Sequence, residues 1–157
     1  MAYDAHDDGR RDFHFLYGRW RVAHRRRLAR GRDDWKTFEG TSYCQGLMGG
    51  LCNVDEHDMP EGGLQGLTLR TFDPQHGRWS IRWLNAATGE LQPPICGRFE
   101  NGTGRFTGED VEAGVPVKVA YLWEAITPAS ARWSQAVSYD AGETWETNWI
   151  MDFARTA

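Results

Sequence analysis

The chain has 157 residues, a length that suits one domain with a sizeable core of its own. Apolar residues make up 40% of it and charged residues 25%, which excludes an intrinsically disordered chain. No apolar run approaches the roughly 20 residues of a membrane-spanning helix, so we expect no membrane partner. The N-terminal stretch is polar and acidic and has no apolar segment, so we expect no secretory signal and a cytoplasmic protein.

Charge is unevenly spread along the chain. Residues 1–32 hold nine Arg and four Asp, whereas residues 33–157 hold nine Lys or Arg and eighteen Asp or Glu. An arginine-rich segment is one feature of nucleic-acid-binding proteins. Because the whole chain uses sixteen Arg and only two Lys, we interpret the arginines as a general preference of the sequence and expect no nucleic-acid partner.

Two groups of residues contain metal-ligating side chains. The three cysteines, Cys44, Cys52 and Cys96, lack the paired spacing of zinc sites, so we expect reduced thiols. The run Asp55–Asp58 includes a histidine, but period-two alternation places its side chains on two different faces. The sequence therefore predicts no metal site.

The pattern along the chain predicts an all-β protein. Residues 1–9 are expected to be a disordered tail and residues 10–157 a single domain. Asp12–Tyr17 is rich in aromatic residues and precedes a glycine, which favours one short helical turn. Period-two alternation then predicts about ten strands. These are Arg19–Leu28, Trp35–Gly46, Leu51–Asp58, Leu64–Phe72, Arg78–Asn85, Ile95–Glu100, Gly104–Asp110, Val115–Glu124, Ala131–Tyr139 and Thr144–Ala154.

The connections between these strands predict how the strands pair. They are short and rich in turn residues, as in Asp73–Gly77 and Asn101-Gly102. Such links are too short for helical crossovers, so neighbouring strands should pair antiparallel in a meander. A near-continuous meander without covering helices favours a closed barrel over a sandwich, because closure removes the exposed edges.

The motif Gly18-Arg19-Trp20 follows the short helical turn and opens the first strand. It resembles the G-x-W signature of lipocalins and related calycin barrels. In that family a helix closes the base of the barrel and the Trp packs against an Arg near the last strand, a position that Arg155 matches.

The wider chain is similar to a group of bacterial lipocalin-like proteins of unknown function. The similarity extends over residues 12–155 and implies the fold rather than an activity. The matching stretches are Trp35–Gly40, Gly49–Glu56, Thr68–Pro74, Arg132–Ala136 and Trp145–Trp149.

Alternation also predicts which side chains face the barrel interior. Three inward rows are expected in the last strands: Val117, Val119, Tyr121 and Trp123; Trp133, Gln135, Val137 and Tyr139; and Trp145, Thr147, Trp149, Met151 and Phe153. A fourth row in the first strand comprises Trp20, Val22, His24 and Arg26. Because about ten strands enclose more space than eight, we expect room for a ligand, with a solidly packed barrel as the alternative.

Polar residues on the inward faces need partners. A buried charge is stable only when it is paired, so we predict that Arg70 pairs with Asp55 or Glu56 inside the barrel or near its mouth. This pair has two interpretations, a ligand anchor and a structural ion pair.

The first functional hypothesis is a small-molecule binder. It takes a mostly apolar or aromatic molecule among Trp83, Tyr121, Trp133 and Trp149, and further contacts come from His24, Asn53, Arg70 and Gln135. No cofactor is expected, although some barrels of this kind bind haem through one histidine, and His24 is the candidate here.

The second hypothesis is an enzyme, an isomerase, cyclase or hydrolase-like catalyst acting on a hydrophobic substrate. It needs His24 as base or acid, Asp55 or Glu56 to orient it, and Arg70 to stabilise an anion. A third hypothesis is an interaction protein with a solid core. A homodimer that pairs through a strand face is compatible with each of these.

Overall fold

The computed structural model describes residues 9–157 as ten antiparallel strands. The tail expected over residues 1–9 lies outside this range apart from Gly9. The strands are β1 (Gly18–Arg27), β2 (Trp35–Leu47), β3 (Cys52–Met59), β4 (Leu64–Asp73), β5 (Arg78–Asn85), β6 (Ile95–Glu100), β7 (Thr103–Glu112), β8 (Val115–Glu124), β9 (Ser130–Ser138) and β10 (Glu146–Arg155). Their ends lie within two residues of those predicted from the alternation.

Helical structure in residues 9–157 is limited to three single turns. The 3-10 turn His14–Leu16 occupies the aromatic segment where a short helical turn was expected. Two others, Met48–Gly50 and Pro60–Gly62, lie in links between strands. None of the helices in this part of the chain has the length and apolar character needed to span a bilayer.

The sheet closes on itself. Each strand pairs with its neighbours in the chain, and β1 also pairs with β10, with Trp20 opposite Arg155 and Arg26 opposite Trp149. Every pairing is antiparallel, and because the sheet is closed each strand has a neighbouring strand on both sides. The predicted all-β closed barrel is therefore confirmed.

The turn His14–Leu16 closes one end of the barrel, which we call the base. Phe13 and Leu16 are fully buried there. The Phe13 ring packs edge-on against Trp79, with ring centres 4.9 Å apart, and against Phe99 at 5.0 Å. The indole N–H of Trp20 donates to the Leu16 carbonyl over 2.8 Å. The base is thus filled by aromatic rings, and any open space must lie towards the other end, the mouth.

One predicted inward row differs from the structure. The pairing of β10 with β9 shifts its register between Thr147 and Trp149. Trp149, Met151 and Phe153 face inward as expected, but Thr147 is exposed and Trp145 lies before the strand with 43% of its surface exposed. The prediction was wrong for these two residues because a bulge offsets alternation along the strand.

Candidate functional site

A cavity of about 400 Å³ lies inside the barrel between the base and the mouth. This is within the size range of pockets for small organic molecules. Its aromatic lining comprises Trp83, Tyr121, Trp123, Trp133, Trp149 and Phe153. Its aliphatic lining includes Ile81, Val117, Val119, Val137 and Met151. The alternative of a solidly packed barrel is therefore wrong.

Aromatic rings form one continuous wall of the cavity. The rings of Tyr121 and Trp133 lie 5.0 Å apart, and Trp133 meets Trp149 edge-on at 5.8 Å. Arg26 extends this wall at the mouth, where its guanidinium lies 4.4 Å from the centre of the Trp149 ring. A flat apolar molecule can therefore contact aromatic faces along the length of the cavity.

A buried ion pair lies at the inner end of the cavity. Arg70 on β4 donates from Nη2 to Asp55 Oδ2 on β3 over 3.1 Å, and both side chains are at most 3% exposed. This confirms the predicted pair and selects Asp55, because Glu56 faces outward and is exposed. The Arg70 guanidinium lies 5.0 Å from the centre of the Phe13 ring, so the pair is near the base and not at the mouth.

Three donors hold Asp55 as a carboxylate. Besides Arg70, Ser42 Oγ donates to its Oδ1 over 2.5 Å and His57 Nε2 lies 3.0 Å from its Oδ2. Burial favours the neutral acid, but the contacts with His57 and Ser42 and the hydrogen bond and charge of Arg70 outweigh it. The pKa of Asp55 is therefore held well below its usual range.

His57 is a site residue that the sequence analysis did not select. It lines the cavity, is 4% exposed, and its Nδ1 is buried without a hydrogen-bond partner in the described chain. Its Nε2 contacts Asp55, so Nδ1 is the ring nitrogen that is left for another partner. The available signal was its parity, since His57 shares the inward face of β3 with Asn53 and Asp55.

His24 faces inward as predicted but is not among the residues that line the cavity. Its ring stacks on Phe38, with centres 4.6 Å apart, and its Nδ1 accepts a hydrogen bond from the Trp149 indole over 3.0 Å. Burial, together with the nearby charges of His57 and Arg26, lowers its pKa from 6.5 to about 4. His24 is therefore neutral at pH 7 and engaged in packing.

Two further predicted contacts have different surroundings. Asn53 is fully buried, accepts from Arg70 Nη1 over 2.9 Å and does not line the cavity. Gln135 does line it and donates to Asn148 Oδ1 over 2.9 Å. Two of the predicted ligand contacts, His24 and Asn53, thus lie outside the cavity lining. The other six line the cavity: Arg70, Trp83, Tyr121, Trp133, Gln135 and Trp149.

Two of the buried donors that lack an acceptor belong to side chains of the cavity lining. Arg70 Nε–H and Trp123 Nε1–H both lack a partner within residues 9–157, and both residues line the cavity. Tyr121 also lines it, and burial raises the pKa of its hydroxyl to about 12, so the group remains an O–H donor. The inner end therefore has unused hydrogen-bonding capacity beside an apolar wall.

Comparisons with known proteins bear on the fold. No protein-family model matches the chain, and no curated protein matches it. Among solved structures, the chain is similar to the S-type phycobiliprotein lyase CPES from Guillardia theta, with 11% identity, a TM-score of 0.56, and 92% of this chain and 90% of that chain covered. It is also similar to EF1p2_mFAP2b bound to DFHBI, with 13% identity, a TM-score of 0.48, and coverage of 94% and 99%. The likeness to the lyase supports the lipocalin-like barrel expected from the sequence.

Proposed function

We propose that the barrel binds one small, mostly apolar or aromatic molecule. The observation that carries this proposal is the cavity of about 400 Å³ lined by aromatic rings, with Arg70, His57 and Thr68 as polar groups of the same lining. Apolar walls supply the driving force for binding, and a few directed polar groups fix the orientation of the ligand.

The test uses N-phenyl-1-naphthylamine, a neutral aromatic dye whose emission rises in apolar surroundings. We expect saturable binding with one dye per chain. Val119→Trp places a large ring in the cavity and should weaken binding by about tenfold, since contacts with the wall are lost. Lys118→Trp is the matched control, because Lys118 is the adjacent residue on β8 and faces outward.

Two outcomes contradict this proposal. The first is dye fluorescence that does not saturate in a protein whose circular dichroism shows the folded barrel. The second is equal binding by the wild type, Val119→Trp and Lys118→Trp proteins. Equal binding would mean that the dye does not occupy the cavity, because only the ring of Val119→Trp points into it.

We propose proton transfer at His57 as a second function. It is favoured by one observation, the contact of 3.0 Å that fixes the His57 ring against Asp55 at the cavity wall. A carboxylate that accepts from one imidazole nitrogen fixes the orientation of the ring, as in carboxylate–histidine pairs of many enzymes. His57 thus replaces His24 as the candidate base, and Arg70 keeps the expected role of stabilising an anion.

The probe for this activity is 5-nitrobenzisoxazole. His57 Nδ1 would take the proton of the ring C–H, the C–H electron pair would form the nitrile, and the N–O bond would break to release a coloured phenolate. We expect turnover by the wild type and loss of turnover in His57→Gln. His76→Gln is the control, since His76 lies in an exposed turn. Equal rates for the two variants would exclude His57 as the base.

A further inference from the structure

The two unpaired donors at the inner end of the cavity are fixed in place by their surroundings. Arg70 uses Nη1 on Asn53 and Nη2 on Asp55, and its Nε–H has no acceptor among residues 9–157. Trp123 is 1% exposed, and its ring packs against Phe153 with centres 5.2 Å apart. Neither donor can turn towards another acceptor without breaking these contacts.

The two donors are also neighbours. Arg70 lies on β4 and Trp123 on β8, and the Arg70 guanidinium carbon is 5.9 Å from the centre of the Trp123 ring. Both side chains line the same cavity. One carbonyl oxygen has two lone pairs and can therefore accept both hydrogen bonds.

A buried N–H group without an acceptor carries the full cost of its lost hydration. A ligand that supplies the acceptor removes this cost, whereas a pure hydrocarbon leaves it in place. The same asymmetry lets sites built from buried polar groups discriminate strongly against analogues that lack one polar atom.

The charge balance of the site further defines the acceptor. The carboxylate of Asp55 already neutralises Arg70, and Asp55 is fully buried. A ligand carboxylate would bring a second anion to the same arginine in a region of low dielectric constant, without a counter-ion of its own. A neutral oxygen acceptor avoids this cost.

We propose that Arg70 Nε–H and Trp123 Nε1–H form a subsite for the carbonyl oxygen of a neutral aromatic or conjugated carbonyl compound, whose rings occupy the aromatic-lined cavity. This inference rests on the proposed binding function and specifies the class of ligand. The carbonyl group enters first, towards the base, and the apolar body of the ligand extends towards the mouth.

The experiment compares three naphthalenes by isothermal titration calorimetry of the full chain. They are 2-acetylnaphthalene, 2-ethylnaphthalene and 2-naphthoate, which share one ring system and differ in the group that reaches the subsite. We expect the ketone to bind about tenfold more tightly than the hydrocarbon, and the carboxylate to bind more weakly than the ketone.

Trp123→Phe tests the subsite directly, because it removes the indole N–H and keeps an aromatic ring. We expect the ratio of ketone to hydrocarbon affinity to fall by several-fold in this variant. Trp149→Phe is the matched control, since Trp149 lines the same cavity and its indole N–H already donates to His24 Nδ1. A ratio of affinities is insensitive to a general loosening of the barrel, which affects both ligands.

The outcomes separate this inference from the proposed function. Equal affinity for the ketone and the hydrocarbon overturns the inference and leaves the binding function supported. Tightest binding of 2-naphthoate also overturns it, in favour of an anion site. Failure of all three compounds to bind overturns the binding function and, with it, the subsite.

Discussion

The guanidinium of Arg155 lies 4.1 Å from the centre of the Trp20 ring. From this position Arg155 donates to the carbonyls of Tyr17 and Phe15 over 2.5 and 2.6 Å, and to that of Pro128 over 2.9 Å. One side chain at the end of β10 therefore ties the closing turn, the first strand and the link before β9 together at the base. This is the arrangement that the resemblance to calycin barrels implied for Arg155.

Arg155→Lys should destabilise the protein by about 2–3 kcal/mol, because a lysine cannot reproduce the planar fork that reaches three carbonyls and covers the indole. Urea unfolding followed by tryptophan fluorescence measures the change. Arg21→Lys is the control, since Arg21 is exposed on β1, and we expect its effect to stay below about 0.5 kcal/mol. Similar losses in both variants would contradict a special role for Arg155.

Gly18→Ala tests the start of the G-x-W motif. Gly18 has φ of +112°, and a Cβ there would lie 2.7 Å from Arg155 Nη1 and 2.9 Å from the Ala157 carbonyl oxygen. Gly31→Ala is the control, because Gly31 has φ of +74° and no atom within 4 Å of the added Cβ. We expect about 1 kcal/mol of destabilisation at Gly31 from φ alone.

The loss at Gly18 should exceed the loss at Gly31 by about 1–2 kcal/mol, since the new methyl group also displaces the Arg155 guanidinium. Thermal and urea unfolding of the two variants provide the comparison. Equal losses at the two positions would show that the crowding at Gly18 is relieved at no cost.

Asp55→Asn should cost about 3–5 kcal/mol, because the substitution leaves the buried Arg70 without its counter-ion. Asp152→Asn removes a carboxylate from an ion pair with Arg132 at the surface, where the two side chains are 43% and 42% exposed. That control should lose less than about 1 kcal/mol. Urea unfolding at pH 7 measures both, and a small loss in Asp55→Asn would argue against a charged pair at the inner end of the cavity.

The lowered pKa of His24 should make the free energy of unfolding depend on pH. Its pKa is lowered from 6.5 to about 4 in the folded protein, chiefly by burial. The unfolded chain therefore binds a proton below about pH 6.5 that the folded chain does not, and the free energy of unfolding falls as pH decreases towards 4. The stabilisation is complete above pH 6.5, and about 2 kcal/mol of it should be lost at pH 5.

His24→Phe keeps a ring against Phe38 and cannot bind a proton, so most of this loss should be absent from the variant. A smaller contribution from His14, whose pKa burial also lowers, remains in both proteins. Urea unfolding of the wild type and the variant at pH 7.5 and pH 5 measures the difference. The same loss of stability in both proteins would rule out His24 as its source.

Several features of the fold could be predicted because they depend on neighbours along the chain. Alternation with period two placed all ten strands and put Trp20, Val22 and His24 on the inward face, since successive strand residues point to opposite sides. The same rule left one choice open, between Asp55 and Glu56. It also failed at Thr147, because a bulge between Thr147 and Trp149 breaks the alternation, so that residues before the bulge do not share the face of those after it.

The sequence by itself thus determined the strands, their antiparallel order and the need for a partner to Arg70. Only the tertiary structure brought Arg70 and His57 to the same end of a cavity as Trp123, four strands away from Arg70 along the chain. Which inward residues meet across a barrel depends on its stagger and on the register at which β1 meets β10, and both are properties of the closed sheet as a whole. For the same reason His24 was assigned to the correct face but lies outside the cavity, packed between Phe38 and Trp149.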